Sequence, residues 1–199
     1  FVSEGPDVLS VLRDKGKKIF LDLKFHDIPT TVARACFAAS QTGAEFISLH
    51  TCAGMKALKM AKEAAHEGAA KVNLMPPKLL GITILTSWSQ ESLVADLLIN
   101  QSIDQRVKHL AEIASSSGLA GCVCSPREVK SLREIYPETF ELVTPGIRSI
   151  GLDVNDQSRI SDASEALNMG ASKLVIGRAI TQSNDPAYMF KSFCDKVFI

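Results

Sequence analysis

A chain of 199 residues, 46% apolar and 22% charged, has material for one sizeable core and carries no low-complexity segment. Its 22 Lys and Arg balance 22 Asp and Glu, which argues against a general nucleic-acid binder or a membrane-surface protein. It contains neither an apolar run of about 18 residues that would span a membrane nor a visible signal peptide.

In chain order, "PDVLSVLRDK" (6–15) opens on Pro and carries Val8, Leu9, Val11 and Leu12 at helical spacing up to Gly16. "KKIFLDLKF" predicts a strand, "TTVARACFAASQTG" a helix closed by Gly43, and "EFISLHT" a second strand. A helix over about 54–67 ends near Gly68 and leads to the strand "LLGITILT". "SIDQRVKHLAEIASSSG" is amphipathic through Ile103, Val107, Leu110 and Ile113, and "GCVCS" is a short strand. Pro126 opens the helix "PREVKSLREIY", which the strand "FELVTPG" follows. "DASEALNMG" predicts a helix, "SKLVIGR" a strand, and "DPAYMFKSFCDKVF" a last helix.

Six apolar strands alternating with helices imply a parallel sheet with helices outside, either an open doubly wound sheet or a closed (β/α)8 TIM barrel. The barrel is favoured. The strands are uniformly short, and polar residues recur at or just beyond their C-terminal ends: Lys24, Asp27, His50, Thr86, Ser125, Arg148 and Arg178. An open sheet would concentrate such residues at one switch point, and no Gly-x-Gly-x-x-Gly follows a strand. A closed barrel has eight strands. The chain begins on a helix at Phe1 without a Met, so a strand–helix–strand is expected ahead of it, and 1–199 is read as a single barrel domain.

Five cysteines (Cys36, Cys52, Cys122, Cys124 and Cys194) form an odd set, and most lie in apolar stretches. They read as small core residues of a reduced, cytoplasmic protein rather than as metal ligands or disulfides.

Two segments carry candidate chemistry. The last two strands end in "TPGIR" and "VIGR", the place where barrels commonly bind phosphate through backbone N–H groups. There Gly177 lets the backbone approach closely and Arg178 can clamp phosphate oxygens. Arg148 and Gln157 flank "SIGLDVNDQSR", a polar loop long enough to be a lid, or simply an ordinary solvated loop. The second segment is "FLDLKFHDIPTTV", with Asp22, Lys24 and Asp27 within six positions. Side chains alternate along a strand, so Asp22 and Lys24 share a face. They form either a structural ion pair or a proton-transfer group. His26-Asp27-Ile28-Pro29 leaves the strand at once, aiming Asp27 along the rim. A lysine between two carboxylates stays charged, a poor base but a proton donor once negative charge develops beside it.

"FLDLKFHDIPTTV" resembles the Asp-x-Lys-x-x-Asp signature of the orotidine 5′-phosphate decarboxylase family, and "ITILTS", "GCVCSPRE", "LVTPGIR", "DQSRI" and "LVIGRAITQSNDP" follow in the family's order, most like its bacterial branch. The resemblance covers essentially the whole chain. It implies metal-independent decarboxylation of orotidine 5′-monophosphate to uridine 5′-monophosphate, with no cofactor. On that resemblance, Lys24 protonates C6 of the pyrimidine as carbon dioxide leaves, and Asp22 lies beside the substrate carboxylate. Asp27 reaches the ribose in the partner's site of a homodimer, and Thr31 lines that composite site. Thr86 and Ser87 contact the pyrimidine edge, while Arg148, Gln157, Gly177 and Arg178 bind phosphate under a lid from Ser149 to Asp156. An Asp and a Lys that complete the family's charged array have no counterpart in this sequence, and the resemblance places them ahead of Phe1.

The remaining histidines read as supporting residues: His50 structural or behind the site, His26 bracing its loop, His66 and His109 on helix surfaces. Two rivals stand beside this reading. One is a magnesium-dependent sugar-phosphate decarboxylase or aldolase, which needs a further carboxylate cluster at strand ends. The other is a non-catalytic binder of phosphate ligands.

Overall fold

The computed structural model describes residue 1, residues 3–147 and residues 162–197. The chain divides into two compact units, Phe1–Ile82 with Leu110–Gly121, and Thr83–His109 with Cys122–Ile199.

The first unit runs α1 (Asp7–Asp14), β1 (Phe20–Phe25), α2 (Pro29–Ser40), β2 (Phe46–His50), a single 3-10 turn (Thr51–Ala53), α3 (Met55–Lys71) and β3 (Lys78–Ile82). It also takes in the C-terminal half of α5 (Ile103–Ser116). Its strands are parallel and lie in chain order, β2 pairing with β3 in unbroken register from Phe46↔Lys78 to His50↔Ile82. β-Branched and Leu side chains from both faces of these strands are fully enclosed: Ile47, Leu49, Leu80 and Ile82, with Val32 from α2 and Leu58 from α3. Burying each such side chain stabilises by about 1.5–3 kcal/mol. Pro29 opens α2 at its first position, following Ile28 in extended geometry (φ −60°, ψ 155°).

α3 continues past Gly68, where a stop was expected, to Lys71. Gly68 instead marks a close approach of α3 to α2. A Cβ there would lie 2.3 Å from the Phe37 carbonyl oxygen and 2.2 Å from Ser40 Oγ.

The register of β1 breaks. Phe20↔Phe46 and Leu21↔Ile47 are followed by Phe25↔Leu49, so four steps along β1 oppose two along β2. Within this bulge Lys24 takes a left-handed conformation, φ +52°. The expected two-residue alternation therefore does not govern Asp22 and Lys24.

The second unit holds α4 (Gln90–Leu97), the start of α5, the greater part of β4 (Gly121–Val123), α6 (Pro126–Arg133), β5 (Glu141–Thr144), α7 (Ala163–Asn168), β6 (Lys173–Leu174), α8 (Arg178–Thr181) and α9 (Pro186–Val197). β4, β5 and β6 follow in chain order, and β5 pairs with β6 in parallel through Val143↔Lys173 and Thr144↔Leu174. Two expected strands are shorter than their apolar runs. "LLGITILT" leaves strand geometry after Ile82, and "SKLVIGR" keeps only Lys173 and Leu174, with Arg178 opening a helix. Helix α4 was not foreseen. Its cap is a Ser–Ser box, with the Ser92 N–H donating to Ser89 Oγ (3.2 Å) and the Ser89 N–H to Ser92 Oγ (3.0 Å), where the usual signature has Glu or Gln.

None of the five cysteines is in a disulfide. Cys36, Cys122 and Cys124 are buried as expected, whereas Cys194 is half-buried and Cys52 is exposed on the turn after β2. Among the described residues no helix is long and apolar enough to cross a membrane.

Candidate active site

The polar end of β1 is built on its bulge. The Lys24 ammonium is ion-paired with Asp22 Oδ2. The other oxygen of that carboxylate, Oδ1, accepts a hydrogen bond from Ser48 Oγ at 2.6 Å. Ser48 Oγ in turn accepts the Lys24 main-chain N–H at 3.0 Å. Both charged side chains face outward, 42% and 39% exposed, while Ser48 is completely buried on β2. Sequence reasoning paired Asp22 with Lys24 but passed over Ser48. The available signal was a small hydroxyl inside the otherwise apolar run "FISL".

Asp27 lies in the turn after β1, with its Oδ1 accepting the Ile28 N–H at 2.6 Å. The Lys24 ammonium thus pairs with Asp22, and the Asp27 carboxylate with its own chain neighbour. Thr31 occupies the first turn of α2, exposed like Asp27, its N–H donating to the Ile28 carbonyl at 3.0 Å. Ile28 between them is 64% exposed.

Beside this group lie two histidines and a thiol. The rings of His26 and His50 are 5.4 Å apart, and Cys52 Sγ is 3.7 Å from His26 Nε2. Burial, then the neighbouring His26 and Lys24, push the His50 pKa below its usual value, against the opposing pull of Asp22. A neutral His50 adds no second positive charge beside Lys24. His66 and His109 are exposed on α3 and α5, as expected.

In the second unit, Thr86 is half-buried and Ser87 exposed, both in the turn closed by the Trp88 N–H on the Leu85 carbonyl. Gly177 is exposed at the start of α8, and among the described residues no atom lies within 4 Å of a Cβ built on it. Arg178 follows it directly, half-buried. Arg148, Gln157 and the expected lid from Ser149 to Asp156 lie outside the described residues. Among the described residues no group of three or more His, Cys, Asp or Glu is placed to hold a metal ion.

Parallel strands alternating with helices, with polar residues at the C-terminal strand ends, define an α/β protein of the TIM-barrel class. The model of the orotidine 5′-phosphate decarboxylase / HUMPS family matches residues 1–193. A protein of Prochlorococcus marinus (strain NATL1A) named orotidine 5′-phosphate decarboxylase is 86% identical over 199 residues, all of this chain and 83% of the relative. Another of that name, from Parasynechococcus marenigrum (strain WH8102), is 51% identical over 197 residues, 99% of this chain and 80% of the relative. The crystal structure of orotidine 5′-phosphate decarboxylase from Lactobacillus acidophilus superposes with a TM-score of 0.85 at 35% identity, covering 98% of this chain and 82% of that one. An uncharacterized conserved protein from Geobacillus kaustophilus gives 0.82 at 30% identity, covering 98% and 83%. The chain belongs to the orotidine 5′-phosphate decarboxylase / HUMPS family.

Proposed function

We propose that Lys24 and Asp22 are the proton-transfer pair of a metal-independent decarboxylation. The overall activity is that of the family and of the relatives named above: the enzyme decarboxylates orotidine 5′-monophosphate in pyrimidine biosynthesis. In the proposed step the C6–carboxylate bond breaks, carbon dioxide departs, and the electron pair left on C6 takes a proton from the Lys24 ammonium. The neutral amine then regains a proton from solvent. Asp22 stabilises that ammonium and, beside the substrate carboxylate, favours the departure of its charge.

The conformation of Lys24 carries this reading. A non-glycine residue in the left-handed region costs about 1–2 kcal/mol. An ion pair as exposed as Asp22–Lys24 returns about 0–1 kcal/mol. The ion pair by itself does not offset that backbone cost, so a structural ion pair is a poor account of it, whereas backbone strain at a reacting group is common at functional sites.

In the same reading Gly177 and Arg178, with Arg148 and Gln157, bind the substrate phosphate, and Thr86 and Ser87 bind the pyrimidine edge. Asp27 and Thr31 serve the partner's site in a cytoplasmic homodimer. The exposed Ile28 between those two residues supports this, since it gives their turn an apolar centre to bury. Phosphate binding far from C6 supplies energy for closing and drying the site.

The test is the loss of orotidine 5′-monophosphate absorbance in excess EDTA, for the protein and for Lys24→Ala. Chelator-resistant turnover that falls by at least about 10⁴-fold in the variant is expected, the order of loss when a group acting in the transition state is removed. Turnover abolished by EDTA would instead favour a magnesium-dependent mechanism, and phosphate-ligand binding without turnover a non-catalytic binder.

A further inference from the structure

We propose that Ser48 is the positioning residue of the proton donor: its hydroxyl locks both the backbone and the carboxylate that aim the Lys24 ammonium. The inference rests on the reading of Lys24 as that donor.

The β1 bulge removes Lys24 from the regular ladder, since Leu21↔Ile47 and Phe25↔Leu49 leave it without an assigned strand partner. Its N–H would then need another acceptor. Ser48 Oγ provides one at 3.0 Å. A hydroxyl has one proton to donate, and with the N–H arriving at its lone pair, that proton goes to Asp22 Oδ1 at 2.6 Å. Asp22 Oδ2 is left for the Lys24 ammonium. The result is a closed ring that begins at the main chain of Lys24 and returns to its side chain through Ser48 and Asp22.

Each part of the ring depends on the hydroxyl. Ser48 is 0% exposed, on a strand held in unbroken register against β3, so it is a rigid reference point. Asp22 and Lys24 are both substantially exposed and, without that anchor, would be free to sample several rotamers. A hydroxyl donates to the carboxylate while accepting from the N–H through one atom, which Ala and Val lack. Ala leaves two groups unpaired, and Val fills the space of Thr without the hydroxyl.

Three variants of the protein separate positioning from packing: Ser48→Ala, Ser48→Thr and Ser48→Val. For orotidine 5′-monophosphate, Ser48→Ala and Ser48→Val are expected to lower kcat about 10- to 100-fold with KM unchanged, the scale of a misplaced reacting group. Ser48→Thr is expected to retain kcat within about 3-fold, because it keeps the hydroxyl that holds the donor in place. A second readout needs no turnover. Acetylation of Lys24 by acetic anhydride, followed by mass spectrometry, is expected to quicken about 2- to 5-fold in the Ala and Val variants and not in Thr, as an exposed ion pair is released.

Equal kcat in wild type and Ser48→Ala would overturn the proposal, as would a Thr variant that falls as far as Val. Failure of the wild-type protein to turn over orotidine 5′-monophosphate would sink the decarboxylase reading instead. The acetylation pattern would then decide the Ser48 assignment on its own, and a pattern flat across all variants would overturn it.

Discussion

The imidazole of His26 lies against that of His50, ring centroids 5.4 Å apart and planes inclined at 43°. Two rings at this distance cannot both be charged cheaply. Burial first, then the neighbouring His26 and Lys24, lowers the pKa of the half-buried His50 below 6.5. Asp22 pulls the other way but does not reverse the shift.

This depressed value sets a stability profile. Above about pH 6.5 His50 is neutral folded and unfolded, and contributes no pH dependence. Below it the unfolded chain takes up a proton that the native state refuses, so native stability falls as pH drops from the unfolded pKa toward the folded one, then levels off. Urea unfolding at intervals between about pH 5 and 8 checks this. Its expected signature is a decline below about pH 6.5 that is shallower in His50→Gln, and identical profiles for the two proteins would contradict it.

Gly68→Ala is expected to destabilise strongly, although alanine has the higher helix propensity by about 1 kcal/mol. The added Cβ would lie 2.3 Å from the Phe37 main-chain oxygen, and a neighbouring helix backbone cannot yield cheaply. A loss of about 3 kcal/mol is expected in chemical denaturation. A neutral or stabilising result would mean that α2 and α3 stand further apart than described.

Thiol labelling tests the division of the cysteines. Cys36 is enclosed between α2 and its neighbours, and burial pushes its thiol up to about 12. Cys124, fully enclosed, is also pushed up, chiefly by its hydrogen bond with Cys122 and then by burial. Cys52 is exposed. With N-ethylmaleimide at neutral pH, Cys52 is expected to be modified in the native protein, and Cys36 and Cys124 only after denaturant is added. Native-state labelling of Cys36 would show that α2 opens locally.

Lys24 shows how a correct pairing can be reached by an incomplete argument. Alternation along a strand placed Asp22 and Lys24 on one face, and they do meet. Yet they meet across a bulge, at a left-handed residue, through a serine on the next strand. Nothing in "FLDLKF" marks that bulge, because its cause is the register of β1 on β2 and the hydroxyl waiting there. The shortening of "SKLVIGR" to two strand residues has a similar origin. Apolar runs report burial, and whether a buried residue belongs to a ladder depends on which strand it finds beside it.

The alternation of short apolar runs with amphipathic helices, the helix-opening position of Pro126, and the Asp-x-Lys-x-x-Asp spacing are local properties, and these the amino-acid order determined alone. Helical and extended periods arise from backbone geometry within a few residues, so they can be read without knowing what lies opposite. The roles of Gly68 and Ser48 were decided only in three dimensions. Gly68 is small because a carbonyl of α2 comes within reach, and Ser48 is polar because a carboxylate and a stray N–H from β1 converge on it. Those neighbours are about 20 to 30 residues away along the chain, and only packing brings them to contact distance.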